Sequence, residues 1–156
     1  MSKVLSKSQN IEKLLSVHST IALRDYDPAT DYKIAQKWWM QHNVAYLARH
    51  LLPNLGVVAV NNGDPVCMAW LYVTNSGLSQ IAWLVSKPNL GPKVKLVAMF
   101  MVIDSLVSIA KNNGYTYIQI MSDSPGFTRA SEMVGFKHLE PHDLLFKSII
   151  EDYDDI

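Results

Sequence analysis

The longest apolar stretch of the chain runs from Val94 to Val107 and is interrupted only by Lys95, Asp104 and Ser105. Gly91-Pro92-Lys93 opens it and Asn112-Asn113-Gly114 closes it, so the pattern predicts a helix over 94–112 with glycine as its C-terminal stop. Short apolar runs at 78–85 and 115–121 flank that helix and read as strands. Strand, lysine-bearing turn, long helix and strand make a βαβ-like unit. A helix N-terminus beside a strand end is a site for an anion, and the phosphate of a bound cofactor is the expected one.

The remaining pattern fills in around this unit. Residues 9–18 carry Ile11, Leu14, Leu15 and His18 at helical spacing. A strand at 20–24 is stopped by Asp27-Pro28, because proline restricts the residue before it. A helix is expected over 31–42, with Ile34, Ala35, Trp38 and Trp39 as its apolar stripe and Thr30 or Asp31 as its cap. A short second helix is expected over 46–52, ahead of Pro53. Strands at 56–60 and 65–73 enclose Asn61-Asn62-Gly63-Asp64, where Asn-Gly takes the positive φ of a tight hairpin. Residues 74–77 turn into the strand at 78–85, which completes an antiparallel meander. After 121 come a polar turn, a short helix at 127–133 stopped by Gly135, and a last strand at 144–149. With no repeat and no linker, the expectation is one mixed α+β domain at 20–150, a mostly antiparallel sheet flanked by helices. A partly helical extension at 1–19 precedes it and an acidic tail at 151–156 follows.

Composition narrows the chemistry. At 156 residues and 49% hydrophobic content, one domain can bury roughly two-thirds of its unfolded surface. Lys plus Arg number 14 and Asp plus Glu number 14, so no bulk positive field favours a nucleic-acid partner. Cys67 is the sole cysteine; an intrachain disulfide is excluded, a reducing compartment is expected, and its apolar surroundings in sequence read as those of a buried, inert thiol. The first 19 residues lack the apolar core of a signal peptide, and the apolar run at 94–103 is shorter than the about 20 residues of a membrane span. A soluble, cytoplasmic protein without a membrane partner is expected. The five histidines are scattered, and a closed zinc site has too few ligands in register, so no metal is expected. Nucleophile elbow, Walker and dinucleotide fingerprints are all absent. Lys87, Lys93 and Lys95 at the start of the long helix suit a pyrophosphate; solvation of a helix start reads equally well from spacing alone.

The order of elements resembles that of the GCN5-related N-acetyltransferase superfamily over residues 20–149. The positions that carry the resemblance are Trp38-Trp39, Leu52-Pro53, Gly56, Leu71-Tyr72-Val73-Thr74-Asn75-Ser76, Trp83, Val85, Pro88, Gly114-Tyr115 and Gly135-Phe136. Within the superfamily the chain looks closest to small acetyltransferase-like proteins of tailed bacteriophages. The resemblance implies an acyl-CoA N-acyltransferase-like fold that takes acetyl-CoA as cosubstrate between the strands at 78–85 and 115–121. It implies that the pantetheine arm meets the backbone of Trp83, Leu84 and Val85, and that the pyrophosphate meets Lys93, Val94, Lys95 and Leu96. Arg129 is then expected near the adenosine phosphates, and the acceptor is a small-molecule or protein amine that attacks the thioester directly.

Departures from the family pattern fall at the site. Leu90, Lys93 and Lys95 stand where its pyrophosphate loop carries Arg or Gln, Gly, and Gly or Ala, and Pro92 removes an amide donor. The usual tyrosine acid, four residues before the Gly-Phe pair, is Ser131. Tyr72 is the alternative hydroxyl. The usual carboxylate on the fourth strand is Ala82, with Gln80 on the same face. Trp39 and Gln80 are the expected acceptor-side residues. Three readings follow: an acetyltransferase; a catalytically weak or inactive binding protein of the same fold acting on a host or phage partner; and a self-associating phage factor targeting a host protein, homodimer included, that exposes Trp38-Trp39 as an apolar patch.

Overall fold

The computed structural model describes residues 7–17, 20–121 and 124–139; the strand expected at 144–149 and the acidic tail lie outside the described residues. Among the described residues five strands form one sheet: β1 (Ile21–Asp25), β2 (Gly56–Asn61), β3 (Asp64–Tyr72), β4 (Leu78–Ser86) and β5 (Tyr117–Ile120), hydrogen-bonded in that order. Four helices accompany it: α1 (Lys7–Val17), α2 (Pro28–Gln41), α3 (Pro92–Asn112) and α4 (Pro125–Val134). The first four strands pair antiparallel, whereas β5 pairs parallel with β4. That parallel pair needs a crossover, and α3 provides it. The fold is α+β, with a mostly antiparallel sheet flanked by helices.

β3 shows why the sequence around Cys67 lacks strand alternation. Cys67, Ala69 and Leu71 point to a core shared with α3 and α4, while Met68 and Trp70 point to a second core under α2. A strand buried on both faces has no polar side to show. The β2–β3 turn forms as the pattern predicts, with Asn62 at φ 51° and Gly63 at φ 85°. Leu14 and Leu15 of α1 pack onto the α3-side core.

Several boundaries differ from the sequence pattern. α2 begins at Pro28 rather than near 31, because Asp27 is its cap, accepting from the Ala29 amide at 3.0 Å, with Pro28 at the first helical position. Asp31, expected as a cap, is buried instead; its carboxylate takes two bonds from Arg24 at 2.7 and 2.8 Å and one from the Asp27 amide at 2.8 Å. The helix expected at 46–52 is a single 3₁₀ turn, Arg49–Leu51. β5 starts at Tyr117 rather than 115, because the Tyr115 amide is taken by the Ala110 carbonyl at the end of α3.

Trp38 and Trp39 are both core residues, 5% and 3% exposed. Adjacent helical positions point roughly 100° apart, so one sheet alone does not cover both. The segment after α2 covers the second side: Leu47 and Leu52 join the same cluster, Tyr32 donates to the Leu47 carbonyl at 2.8 Å, and the Val44 amide bonds the Trp39 carbonyl. The exposed tryptophan patch required by a self-associating factor is therefore not formed by this pair.

Candidate cofactor cleft

β4 and β5 run side by side from Leu78↔Tyr117 to Ile81↔Ile120, and the pairing stops there. β4 continues to Ser86. Beyond Ile81 no described strand pairs with that side of β4, so its backbone groups need partners from elsewhere. The opposite side of β4 also changes at this point. Met68 faces Val85 and Trp70 faces Ala82, so Trp83 and Leu84 together oppose Ala69. This is a β-bulge, and Trp83 carries φ 62° within it.

The parallel arrangement brings the C-terminal ends of β4 and β5 to one end of the sheet, where α3 and α4 begin. α3 is preceded by Gly91, which makes no side-chain cap, and its first turn holds no acidic residue. Lys95 already bonds the Gly91 carbonyl, whereas Lys93 and Val94 carry amides that an α-helix leaves without an internal acceptor. A Cβ placed at Gly91 would meet nothing within 4 Å among the described residues. Lys93 is exposed and Lys95 is half-buried, close enough to Cys67 for its charge to oppose the effect of burial there. The positive end of the helix and the two ammonium groups act in the same direction on an anion.

The other expected site residues are placed as follows. Trp83 and Leu84 are half-buried and Val85 is buried under α2, all in or beside the bulge. Leu96 is buried in the α3-side core. Arg129 is exposed on α4, whose start lies beyond the end of β5. Gln80 is half-buried, opposite Tyr72 on β3 and Gln119 on β5. Trp39 is not an open pocket wall: its ring lies 5.5 Å from that of Trp70 inside the α2-side core. Ser131 is 4% exposed, and its hydroxyl donates to the Phe127 carbonyl at 2.9 Å, so that proton is spent inside α4. Tyr72 donates to the Leu51 carbonyl at 2.7 Å, and burial raises its pKa.

Two features escape sequence reasoning. His42, at the end of α2, places Nε2 2.8 Å from the Ser86 carbonyl and so ties that helix to the end of β4. The bulge at Trp83 has no glycine to announce it. Among the described residues no three His, Cys, Asp or Glu side chains gather as metal ligands, and no helix is long and apolar enough to cross a membrane. An open groove of about 660 Å³, lined by residues that include Tyr26, Arg49, His50 and Asn54, lies at the N-terminal end of α2. It is separate from the cleft mouth, which the His42–Ser86 bond marks at the helix's other end.

No protein-family model and no curated protein sequence matches the chain. Solved structures do. An aminoglycoside acetyltransferase from an uncultured soil metagenomic sample, in complex with sisomicin, matches with TM-score 0.62 at 12% identity, over 85% of this chain and 99% of its own. Rv2747 from Mycobacterium tuberculosis, in complex with CoA and NLQ, matches with TM-score 0.60 at 16% identity, over 80% of this chain and 76% of its own. A Trypanosoma brucei acetyltransferase gives TM-score 0.57 at 17% identity, over 81% and 99%. The shared property is the fold, an acyl-CoA N-acyltransferase-like one.

Proposed function

We propose that the chain is an acetyl-CoA-dependent N-acetyltransferase whose cosubstrate lies in the gap beyond Ile81↔Ile120. The observation that carries this reading is the coincidence of three features at one end of the sheet: a β4 strand that runs on past its last β5 pair, a bulge, and a helix start without a side-chain cap flanked by Lys93 and Lys95. The residues fit the group. Backbone of Trp83, Leu84 and Val85 would pair with the pantetheine arm as an added strand would. The amides of Lys93 and Val94, with the Lys93 and Lys95 side chains, would hold the pyrophosphate, at the expense of the one donor that Pro92 lacks. Leu96 would anchor this turn in the core, and Arg129 would extend the cationic wall toward the adenosine phosphates.

When bound, the thioester supplies an activated acetyl group that an uncharged amine attacks directly. The chain's part is to orient the amine beside Gln80 and to aim an amide near Val85 at the oxygen that gains negative charge. Ser131 and Tyr72 already donate their protons to carbonyls, so proton transfer falls to water reaching the open cleft. The bacteriophage kinship rests on positions such as Trp38-Trp39, Leu52-Pro53 and Gly135-Phe136, and a host cytoplasm as the setting follows from it alone.

The same committed hydroxyls, together with Ala82 in place of a carboxylate, favour a second reading: a protein that binds CoA without turnover. Calorimetric titration with CoA, followed by mass spectrometry of an amine panel incubated with acetyl-CoA, separates the two. Both readings expect CoA to bind, with Lys93→Ala weakening it about tenfold through loss of a charge-assisted contact. Only the first expects acetylated amine. Absence of CoA binding at millimolar concentration would remove both.

A further inference from the structure

The α2 side of the sheet is not covered evenly. Along β4, Ile81 belongs to the α3-side core and buried Ser79 shares its face, which leaves Leu78, Gln80 and Ala82 on the other face. Along β5, Ile118 and Ile120 pack against the α3-side core, which leaves Tyr117 and Gln119. Among the described residues the α2-side core reaches β4 only at Trp83 and Val85 and takes in nothing from β5. The strip beside that core is accordingly exposed: Tyr117 is 77% exposed, Gln119 is exposed, and Met121, just past the end of β5, is 40% exposed. Gln80 stands directly opposite Gln119 in the parallel register, so two carboxamides lie side by side at the strand spacing of about 5 Å. None of these strip residues carries a charge. The strip adjoins the gap beyond Ile81↔Ile120, where Ala82 and Met121 are the next positions along the two strands.

We propose that this strip receives the N-terminal segment of a peptide and that the acceptor is the peptide's α-amine. The proposal rests on the acetyl-CoA reading above and narrows it to one class of amine. Two observations lead to it. A polyamine or an aminoglycoside needs carboxylates around it, and the strip offers none; a carboxamide presents a donor and an acceptor together, which matches the N–H and C=O of a peptide group. The second observation is the lack of a base. Ser131 and Tyr72 donate to carbonyls and alanine stands at position 82, so an amine that arrives uncharged has the advantage. The α-amine of a peptide has an ordinary pKa of about 7.7–8.0 against about 10.4 for lysine, so near neutral pH its uncharged fraction is more than about a hundredfold larger. Its nitrogen bonds the acetyl carbon, the C–S bond breaks, and the proton shed by nitrogen passes through water to the departing CoA thiolate.

The test compares an uncharged tripeptide amide with a free α-amine, the same peptide blocked at its α-amine and carrying one lysine, and spermidine, each with acetyl-CoA at neutral pH. CoA release and acetyl mass gain are expected to give the free α-amine a kcat/KM at least about tenfold above the other two, because the stronger nucleophilicity of the more basic amines offsets only part of their smaller uncharged fraction. Gln119→Leu, at an exposed position, is expected to raise KM for the tripeptide about three- to tenfold with CoA affinity unchanged. Gln119→Glu is expected to narrow the preference over spermidine by about tenfold, by placing a carboxylate on the strip. Equal use of the lysine peptide or spermidine, or a Gln119→Leu protein that matches wild type, would overturn the proposal. Calorimetric titration of the tripeptide, with and without CoA, reads the strip apart from turnover. Binding that weakens about three- to tenfold in Gln119→Leu without any acetylated product would remove the transfer reading and keep the strip as a peptide site. Acetylation of other amines with no binding of the tripeptide would remove the strip and keep the transfer.

Discussion

At the scale of single residues, the strongest polar commitment lies outside the cleft. Asp31 is fully buried and its Arg24 partner has a side chain 40% exposed. Burial pushes the Asp31 carboxyl up, but the Arg24 and Asp27 hydrogen bonds outweigh it and leave the pKa below the ordinary carboxylate value. A lowered folded-state pKa contributes stability above the unfolded value, which is lost as pH falls through the folded one. Acid denaturation midpoints should therefore move to higher pH in Arg24→Ala. That variant strands a buried charge and should cost about 2–3 kcal/mol, below the range for a fully buried pair because Arg24 is partly solvated. Asp31→Asn keeps an acceptor for the Asp27 amide and should cost about 1–2 kcal/mol; urea unfolding at neutral pH measures both. Cys67 offers a second check, since burial pushes its thiol up to about 12. Iodoacetamide at mildly alkaline pH should modify the native protein at least about a thousandfold more slowly than the urea-unfolded chain. Comparable rates would contradict a buried thiol.

At the scale of elements, Gly56 shows how tightly β2 is seated. A Cβ there would lie 2.8 Å from Trp70 Cδ1 and 3.0 Å from both the Ala69 carbonyl oxygen and Tyr26 Cβ. A strand carbonyl cannot yield, so Gly56→Ala should destabilise by about 1–3 kcal/mol, read as a lower denaturant midpoint. What the sequence made legible at this scale depended on local signals. The β2–β3 turn and α3 were readable because Asn62-Gly63 and a long apolar run bounded by Gly91 and Gly114 act within a few residues. The start of α2 was not, because Pro28 serves equally as a strand stop and as a first helical residue. The 46–52 segment has helical composition, but its carbonyls at Leu47 and Leu51 are claimed by Tyr32 and Tyr72 from afar. Trp39 read as a pocket wall because covering by residues 44–52 is a tertiary fact. Of the cleft, the helix start and its lysines were visible; the bulge was not, since no residue type marks it.

For the whole molecule, the acetyltransferase-like fold is recognisable at 12–17% identity in the structures compared, and among the described strands β4 and β5 form the one parallel pair. That pair has a further consequence for how the chain folds. β2, β3 and β4 join through short turns and can zip as soon as they are made, whereas β5 can dock only after all of α3 has formed and crossed the sheet. Loop-closure entropy places that docking late. The gap that would receive a ligand is then the last geometry to appear and the first to be lost. Pulse-labelling exchange during refolding should protect amides of β3 before those of β5, and simultaneous protection would refute that sequence of events.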